Sequence, residues 1–225
     1  MRKMTTMILV LAFGLLSSGV FADDALDAVL RDVKMKAALA RSYSADVKMT
    51  VKLGDKMTIE MAGKMLCKDE NKIKVDMDIL GGTQPVKQLT VCDGSTMWQY
   101  MKPMEVVYKL DLTKRGGDIG DIRDATQDME QATMKFVKKD NIAGDAVYII
   151  EGTPKSYIKI QDPQKYATME IAIGVDDGLV RRLAIKDSQG NPTILEEYKN
   201  IKINIPIDDK EFAFTVPAGA KVEEK

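Results

Sequence analysis

Hydrophobic and polar positions change their period at two places along the chain. Between Asp24 and Ala40 apolar residues recur every three or four positions: Leu26, Val29, Leu30, Val33, Ala37 and Ala40. Arg31, Lys34 and Arg41 fall off this stripe, and Asp23 or Asp24 is placed to cap it, so the spacing predicts an amphipathic helix of about four turns. Its apolar stripe has to lie on something apolar, and a sheet of the same chain is the ordinary partner. From Ser44 the period becomes two. Val47, Met49, Val51 and Leu53 alternate with Asp46, Lys48, Thr50 and Lys52, and Gly54-Asp55 supplies a turn. Met57, Ile59, Met61 and Met65 continue the alternation, with Gly63 where a coiled strand needs relief. Ile73, Val75, Met77 and Ile79 follow after Asp69-Glu70-Asn71. Gly81-Gly82 ends that run. Leu89 and Val91 then lead to Asp93-Gly94, a tight hairpin signal.

Two further strands are predicted at Met97–Met101 and Met104–Leu110, separated at Lys102-Pro103. The stretch from Thr113 to Thr133 has looser, helix-like spacing at Ile119, Ile122, Met129 and Ala132. Strand patterning resumes at Met134 and Phe136 and recurs at Val147–Ile149, Tyr157–Ile160, Met169–Ile173, Val180–Ile185, Ile194–Tyr198 and Ile201–Ile205. Turns are predicted at Gly144, Asp162-Pro163, Asp176-Asp177-Gly178 and Gly190-Asn191-Pro192. One apolar and one charged face per strand favours an antiparallel sheet over a parallel one buried on both sides. The expected fold is mainly β: one large, strongly curved antiparallel sheet of about a dozen strands, covered by helices on its concave face.

Residues 1–22 have a different character. Arg2 and Lys3 precede the uncharged apolar run Met7–Leu16, and Val20-Phe21-Ala22 places small residues where a signal peptidase reads them. Cleavage after Ala22 is expected, leaving residues 23–225 as one domain. The run is about half the roughly 20 residues that cross a bilayer. The periplasm is the expected compartment.

Composition removes several function classes. The 225 residues contain no histidine, with 33 Lys+Arg against 34 Asp+Glu. His-based triads and His metal sites are excluded, and no basic excess points to nucleic acid. Two cysteines, Cys67 and Cys92, are too few for a thiolate metal site. In a meander both fall at one end of the sheet, two strands or roughly 9.6 Å apart. That is beyond bridging distance unless turn residues close the gap, so a disulfide is left open. Glu196 and Glu197 fall on opposite strand faces, and no serine has a nucleophile-elbow context. Neither catalytic residues, nor a metal, nor a cofactor are expected. The 15 methionines include Met49, Met57, Met61, Met65, Met77, Met97, Met101 and Met104 in the first half. Unbranched thioethers adapt to irregular apolar surfaces, so these could line a ligand cavity or simply replace Leu in a packed core. Met49, Met61, Met77 and Met97 are the candidate cavity-lining residues. Trp98 and Tyr100, two apart and therefore on one strand face, join them, although aromatic pairs of this kind are more often core.

Several segments resemble the periplasmic outer-membrane lipoprotein carriers and their wider sorting superfamily. Val91-Cys92-Asp93-Gly94-Ser95-Thr96-Met97-Trp98-Gln99-Tyr100 is similar to that family's "V-S-D-G-K-T-L-W-x-Y" hairpin. Asn204-Ile205-Pro206-Ile207-Asp208 through Phe212-Ala213-Phe214 to Pro217-Ala218-Gly219-Ala220-Lys221-Val222 resembles its ending. Asn141-Ile142-Ala143-Gly144 and Asp187–Asn191 occur in the matching order. The resemblance implies an unclosed antiparallel β-barrel of about eleven strands with a helical lid, whose cavity shields lipoprotein acyl chains, with Met49, Met61, Met77, Met97, Trp98 and Tyr100 as the candidate lipid-contacting residues, an inner-membrane transporter and an outer-membrane acceptor as partners, a monomeric state and no enzymatic activity. It also implies a lid-contacting arginine after the second strand, in "K-R-P-N-L-F". This chain has Lys68-Asp69-Glu70-Asn71-Lys72-Ile73 there, so Asp69 occupies the lid-contact position, and a carboxylate cannot donate as a guanidinium does. The alternatives are an envelope lipid-binding protein or a sensor or interaction module on the same fold.

Overall fold

The computed structural model describes residues 24–53, 57–69, 71–80, 86–102, 104–113, 132–154 and 168–224. The predicted signal segment, the helical stretch after Thr113, the Tyr157–Ile160 strand and the tips at Gly54-Asp55, Gly81-Gly82 and Asp162-Pro163 lie outside them. One helix, α1 (Asp24–Ala37), precedes the strands β1 (Ser42–Lys52), β2 (Thr58–Lys68), β3 (Lys72–Leu80), β4 (Val86–Asp93), β5 (Thr96–Lys102) and β6 (Val106–Asp111). Then come β7 (Ala132–Ile142), β8 (Asp145–Pro154), β9 (Thr168–Gly174), β10 (Val180–Lys186) and β11 (Pro192–Ile203). A 3₁₀ turn (Asp209–Phe212) and β12 (Lys221–Glu224) close the chain.

All twelve strands form one sheet, in the order β12-β6-β5-β4-β3-β2-β1-β11-β10-β9-β8-β7. It is the expected unclosed, curved, antiparallel sheet. Two meanders, β1 to β6 and β7 to β11, join through the β1–β11 pair, where Val47 faces Tyr198 and Met49 faces Glu196. The alternating pattern fixes this register, because a slip of one residue would turn every apolar side chain to the wrong face. Turn chemistry at the hairpins agrees with the sequence. Asp93 Oδ1 accepts hydrogen bonds from the backbone N–H of Ser95 (2.8 Å) and of Thr96 (2.9 Å). Asn141 Oδ1 accepts from the Gly144 N–H at 2.9 Å.

The stripe on α1 is buried at Leu26, Val29, Val33 and Ala37, as its spacing predicts. It packs on Tyr148, Ile150, Ile171, Ile173 and Leu183, which all belong to β8–β10. The helix ends at Ala37, and Ala40 continues the apolar line from the following turn. Gly178, at φ +71°, brings the β9–β10 turn against the helix, and a Cβ there would overlap the Val33 carbonyl. Asp32 Oδ2 adds polar anchorage, accepting from Lys36 Nζ at 2.7 Å and from the Tyr148 hydroxyl at 2.9 Å. The Lys36 bond holds the Asp32 carboxyl below its ordinary range, outweighing the effect of burial.

One question the sequence left open is settled, and two features differ from its reading. Cys67 and Cys92 are buried and form no disulfide. Each is paired with Ile73, from β2 and from β4 respectively, so a whole strand separates them and no turn closes the gap. Next, β4 and β5 do not have one charged and one apolar face. Val91 and Trp98 pair on one face, Cys92 and Met97 on the other. The reason is a second cover: the chain after β11 folds back over the face of the sheet away from α1. Phe214 stacks on Trp98 at 5.4 Å between ring centroids. The 3₁₀ turn contacts β3 and β4, with Phe212 buried. Lys68 and Lys72 bond Asp209 (2.7 and 3.2 Å), and Lys74 bonds Glu211 (2.6 Å). Finally, β12 pairs with β6 in parallel, the one parallel pair of the described strands.

Candidate functional site

The helix side of the sheet has two regions. Over β8–β10 it is closed by α1. Across β1–β6 the cross-strand pairing sets out four rows on this side. Tyr43, Cys67, Ile73, Cys92, Met97 and Leu110 form the first. Ala45, Met65, Val75, Thr90, Gln99 and Tyr108 form the second. Val47, Gly63, Met77, Gln88, Met101 and Val106 form the third, and Met49, Met61, Ile79 and Val86 the fourth.

Four of the six predicted lipid-contacting residues, Met49, Met61, Met77 and Met97, therefore share this face. Met65 and Met101 join them. Met65, Met77 and Met101 are buried, whereas Met49, Met61 and Met97 are half-buried, as are Ile73, Val75, Ile79 and Val86. Ala40 and Leu179 pack on the β1–β3 part of the surface. Gly63 is required inside it, because a Cβ there would overlap the Asp76 carbonyl of β3. Omitting that Cβ lets β2 and β3 coil tightly.

Trp98 and Tyr100 are not brought to this surface. They pair with Val91 and Leu89 on the opposite face, where Phe214 of the C-terminal segment stacks on Trp98 and Lys109 Nζ lies 5.5 Å from the Trp98 ring centroid. Asp69 is exposed in the β2–β3 turn with φ 54°, a left-handed conformation that Asp tolerates. Its backbone N–H donates to the Arg41 carbonyl at 2.7 Å, and the neighbouring Lys68 holds the C-terminal segment. The lid that the resemblance assigns to this position lies outside the described residues.

Two groups that sequence reasoning had not placed in the site face it. Glu196 is 2% exposed and stands between Met49 and Leu183, at the boundary between the two regions. It accepts a 2.7 Å hydrogen bond from the Tyr198 hydroxyl. Burial, reinforced by the Glu196 carboxylate, pushes that hydroxyl well above its ordinary value. The signal was an acidic residue in an otherwise apolar alternation, Ile194–Glu196–Tyr198. Gln99 is the other, buried between Met97 and Met101 of its own strand. Among the described residues no group of three or more Cys, Asp or Glu converges as a metal-ligand set. No described helix is long and apolar enough to cross a membrane.

Two curated relatives carry the same name. The outer-membrane lipoprotein carrier protein of Cupriavidus necator is 32% identical over 141 residues, which are 62% of this chain and 62% of the relative. That of Cupriavidus taiwanensis is 30% identical over 141 residues, again 62% of each. Over these 141 residues the chain is similar to the outer-membrane lipoprotein carriers. It spans just under two thirds of the length of the carriers it matches. No family model matches it. An uncharacterized conserved protein from Thermus thermophilus superposes with a TM-score of 0.58 at 12% identity, over 89% of this chain and 99% of that one, and shares the fold. The carrier resemblance read from the Asp93-Gly94 hairpin and the C-terminal ending thus agrees with independent sequence likeness.

Proposed function

We propose that this protein binds acyl chains on the helix side of β1–β6 and, as a carrier in the periplasm, delivers lipoproteins toward the outer membrane. One observation supports the reading most. A single sheet face is filled by α1 over β8–β10, yet over β1–β6 it presents half-buried Met49, Met61 and Met97 among Ile73, Val75, Ile79 and Val86. Transfer of an acyl chain onto such a surface yields about 0.8 kcal/mol per buried CH₂, so several methylenes give useful affinity without covalent chemistry. Met side chains re-pack around chains of differing shape at little cost. Met77 forms the floor of this surface. Trp98, on the other face, contributes by stacking on Phe214 of the C-terminal segment, and Tyr100 shares that face. No reaction chemistry is needed, and the reading is that of a non-enzymatic, monomeric binding protein. Residues 1–22 act as the export signal and 23–225 as the carrier domain, with an inner-membrane transporter and an outer-membrane acceptor as partners.

The test is to express the full-length chain in a Gram-negative bacterium and recover it from the periplasmic fraction. Its N-terminus is then sequenced, and an organic extract is examined by mass spectrometry. An N-terminus at Asp23 and stoichiometric acyl lipid or lipoprotein support the proposal. Protein recovered free of lipid, and failing to take up a triacylated lipopeptide, overturns it.

A further inference from the structure

Among the described residues, one buried side-chain polar atom has no hydrogen-bond partner: Gln99 Nε2. The residue is 8% exposed. A buried amide N–H without an acceptor loses its hydration and regains nothing, so folding selects against such positions unless something else satisfies them. Register fixes its surroundings. Thr90 and Tyr108 flank Gln99 across the strands, while Met97 and Met101 lie before and after it on β5. A short polar row, Thr90–Gln99–Tyr108, therefore crosses an apolar surface. The same row continues through Val75, Met65 and Ala45, all of them apolar. A ligand with one acceptor at its head and a long hydrocarbon tail matches that sequence of surfaces.

We propose that the Gln99 amide donates a hydrogen bond to a carbonyl oxygen at the head of the bound acyl chain. This rests on the acyl-binding reading and narrows it. The ligand class is a fatty acyl ester or amide rather than a bare hydrocarbon or an ether-linked alkyl chain. The tail runs from β5 past Thr90 of β4 and across β3 and β2, over Val75 and Met65 and toward Met61. Gln99 thereby sets both specificity and orientation, because a site built around a donor rejects an isostere that lacks the acceptor.

The experiment uses matched probes and the mature protein: dioctanoylglycerol, the dialkyl ether of the same chain length, and an N-octanoyl amino acid amide. Wild type is expected to bind the diester about tenfold more tightly than the diether, as one lost hydrogen bond at a buried donor implies. Gln99→Leu removes the donor at similar volume and should abolish that preference, leaving diether affinity within about twofold. Should Gln99→Leu fold poorly, Gln99→Met is the second variant, and the wild-type ester–ether comparison needs no variant at all. If the amide probe is the one favoured, the carbonyl belongs to an acylated amine rather than a glyceride. Equal affinity of wild type for diester and diether would mean that the amide bonds only a trapped water, and would overturn the inference, as would a preference that survives in Gln99→Leu. Failure of wild type to bind any of the probes would instead remove the acyl-chain reading itself, and this inference with it.

Discussion

The two regions of the helix-side face differ in their proportion of branched side chains and methionine. Under α1 the sheet offers chiefly Ile150, Ile171, Ile173 and Leu183, branched residues with few rotamers, with half-buried Met134 and Met169 packed against them. Across β1–β6 it offers Met49, Met61, Met65, Met77, Met97 and Met101. Branched chains suit a partner that never changes: the Leu26–Val33 stripe is always present and can be fitted closely. Thioethers suit a partner that comes and goes, because three rotatable bonds let them refill the space. The same strand geometry thus supports a fixed core at one end and an adaptable surface at the other. Glu196 marks the boundary, a buried carboxylate held by Tyr198.

The change that should break the methionine region most severely is Gly63→Val. Its side chain would collide with the backbone of β3, and about 3 kcal/mol or more of stability should be lost, read from denaturant unfolding. On the other side of the boundary, Val33→Ala opens a void beneath α1. It should cost about 2 kcal/mol while the folded fraction keeps its full complement of lipid. Lipid lost in proportion to stability would erase the distinction between fixed core and adaptable surface. Replacing Met49, Met61 and Met97 together by Leu tests the adaptable side. Each swap conserves volume and should cost under about 1.5 kcal/mol, so the protein remains folded. The range of acyl lengths recovered by mass spectrometry should narrow; an unchanged range would make the methionines ordinary packing.

The smallest effect concerns how α1 is tied down. Asp32 has a carboxyl held below its ordinary value of 3.8, chiefly by Lys36. A group depressed in the folded state contributes stability that is present above its unfolded pKa and lost as pH falls through the folded one. Stability measured from pH 5 downward should therefore decline more steeply below about 4 in wild type than in Asp32→Asn. Identical slopes would show that the Asp32–Lys36–Tyr148 link contributes nothing to seating the helix.

Much of this molecule was legible in the order of its residues. The change of period at Ser44 separates α1 from β1, and alternation through Ile79 lays out β1–β3 on the correct faces. Asp93-Gly94 and Asn141–Gly144 specify their hairpins by local chemistry, which needs no tertiary partner. Four of the six proposed lipid contacts came out on one surface for the same reason. Trp98 and Tyr100 did not, because β4 and β5 are apolar on both faces and alternation then carries no sign. Gln99 was passed over inside a family-like hairpin: a lone amide between methionines looks like a solvent-facing position until its burial is known.

Local sequence determined what can be encoded within a few residues: the helix stripe, the strand periods and the turns. Only tertiary structure decided what covers each face. The return of residues 204–224 over β3–β6 and the parallel pairing of β12 with β6 both depend on residues far apart in the chain. Their pairing energies are absent from any single segment, since burial and hydrogen-bond satisfaction are properties of two surfaces in contact.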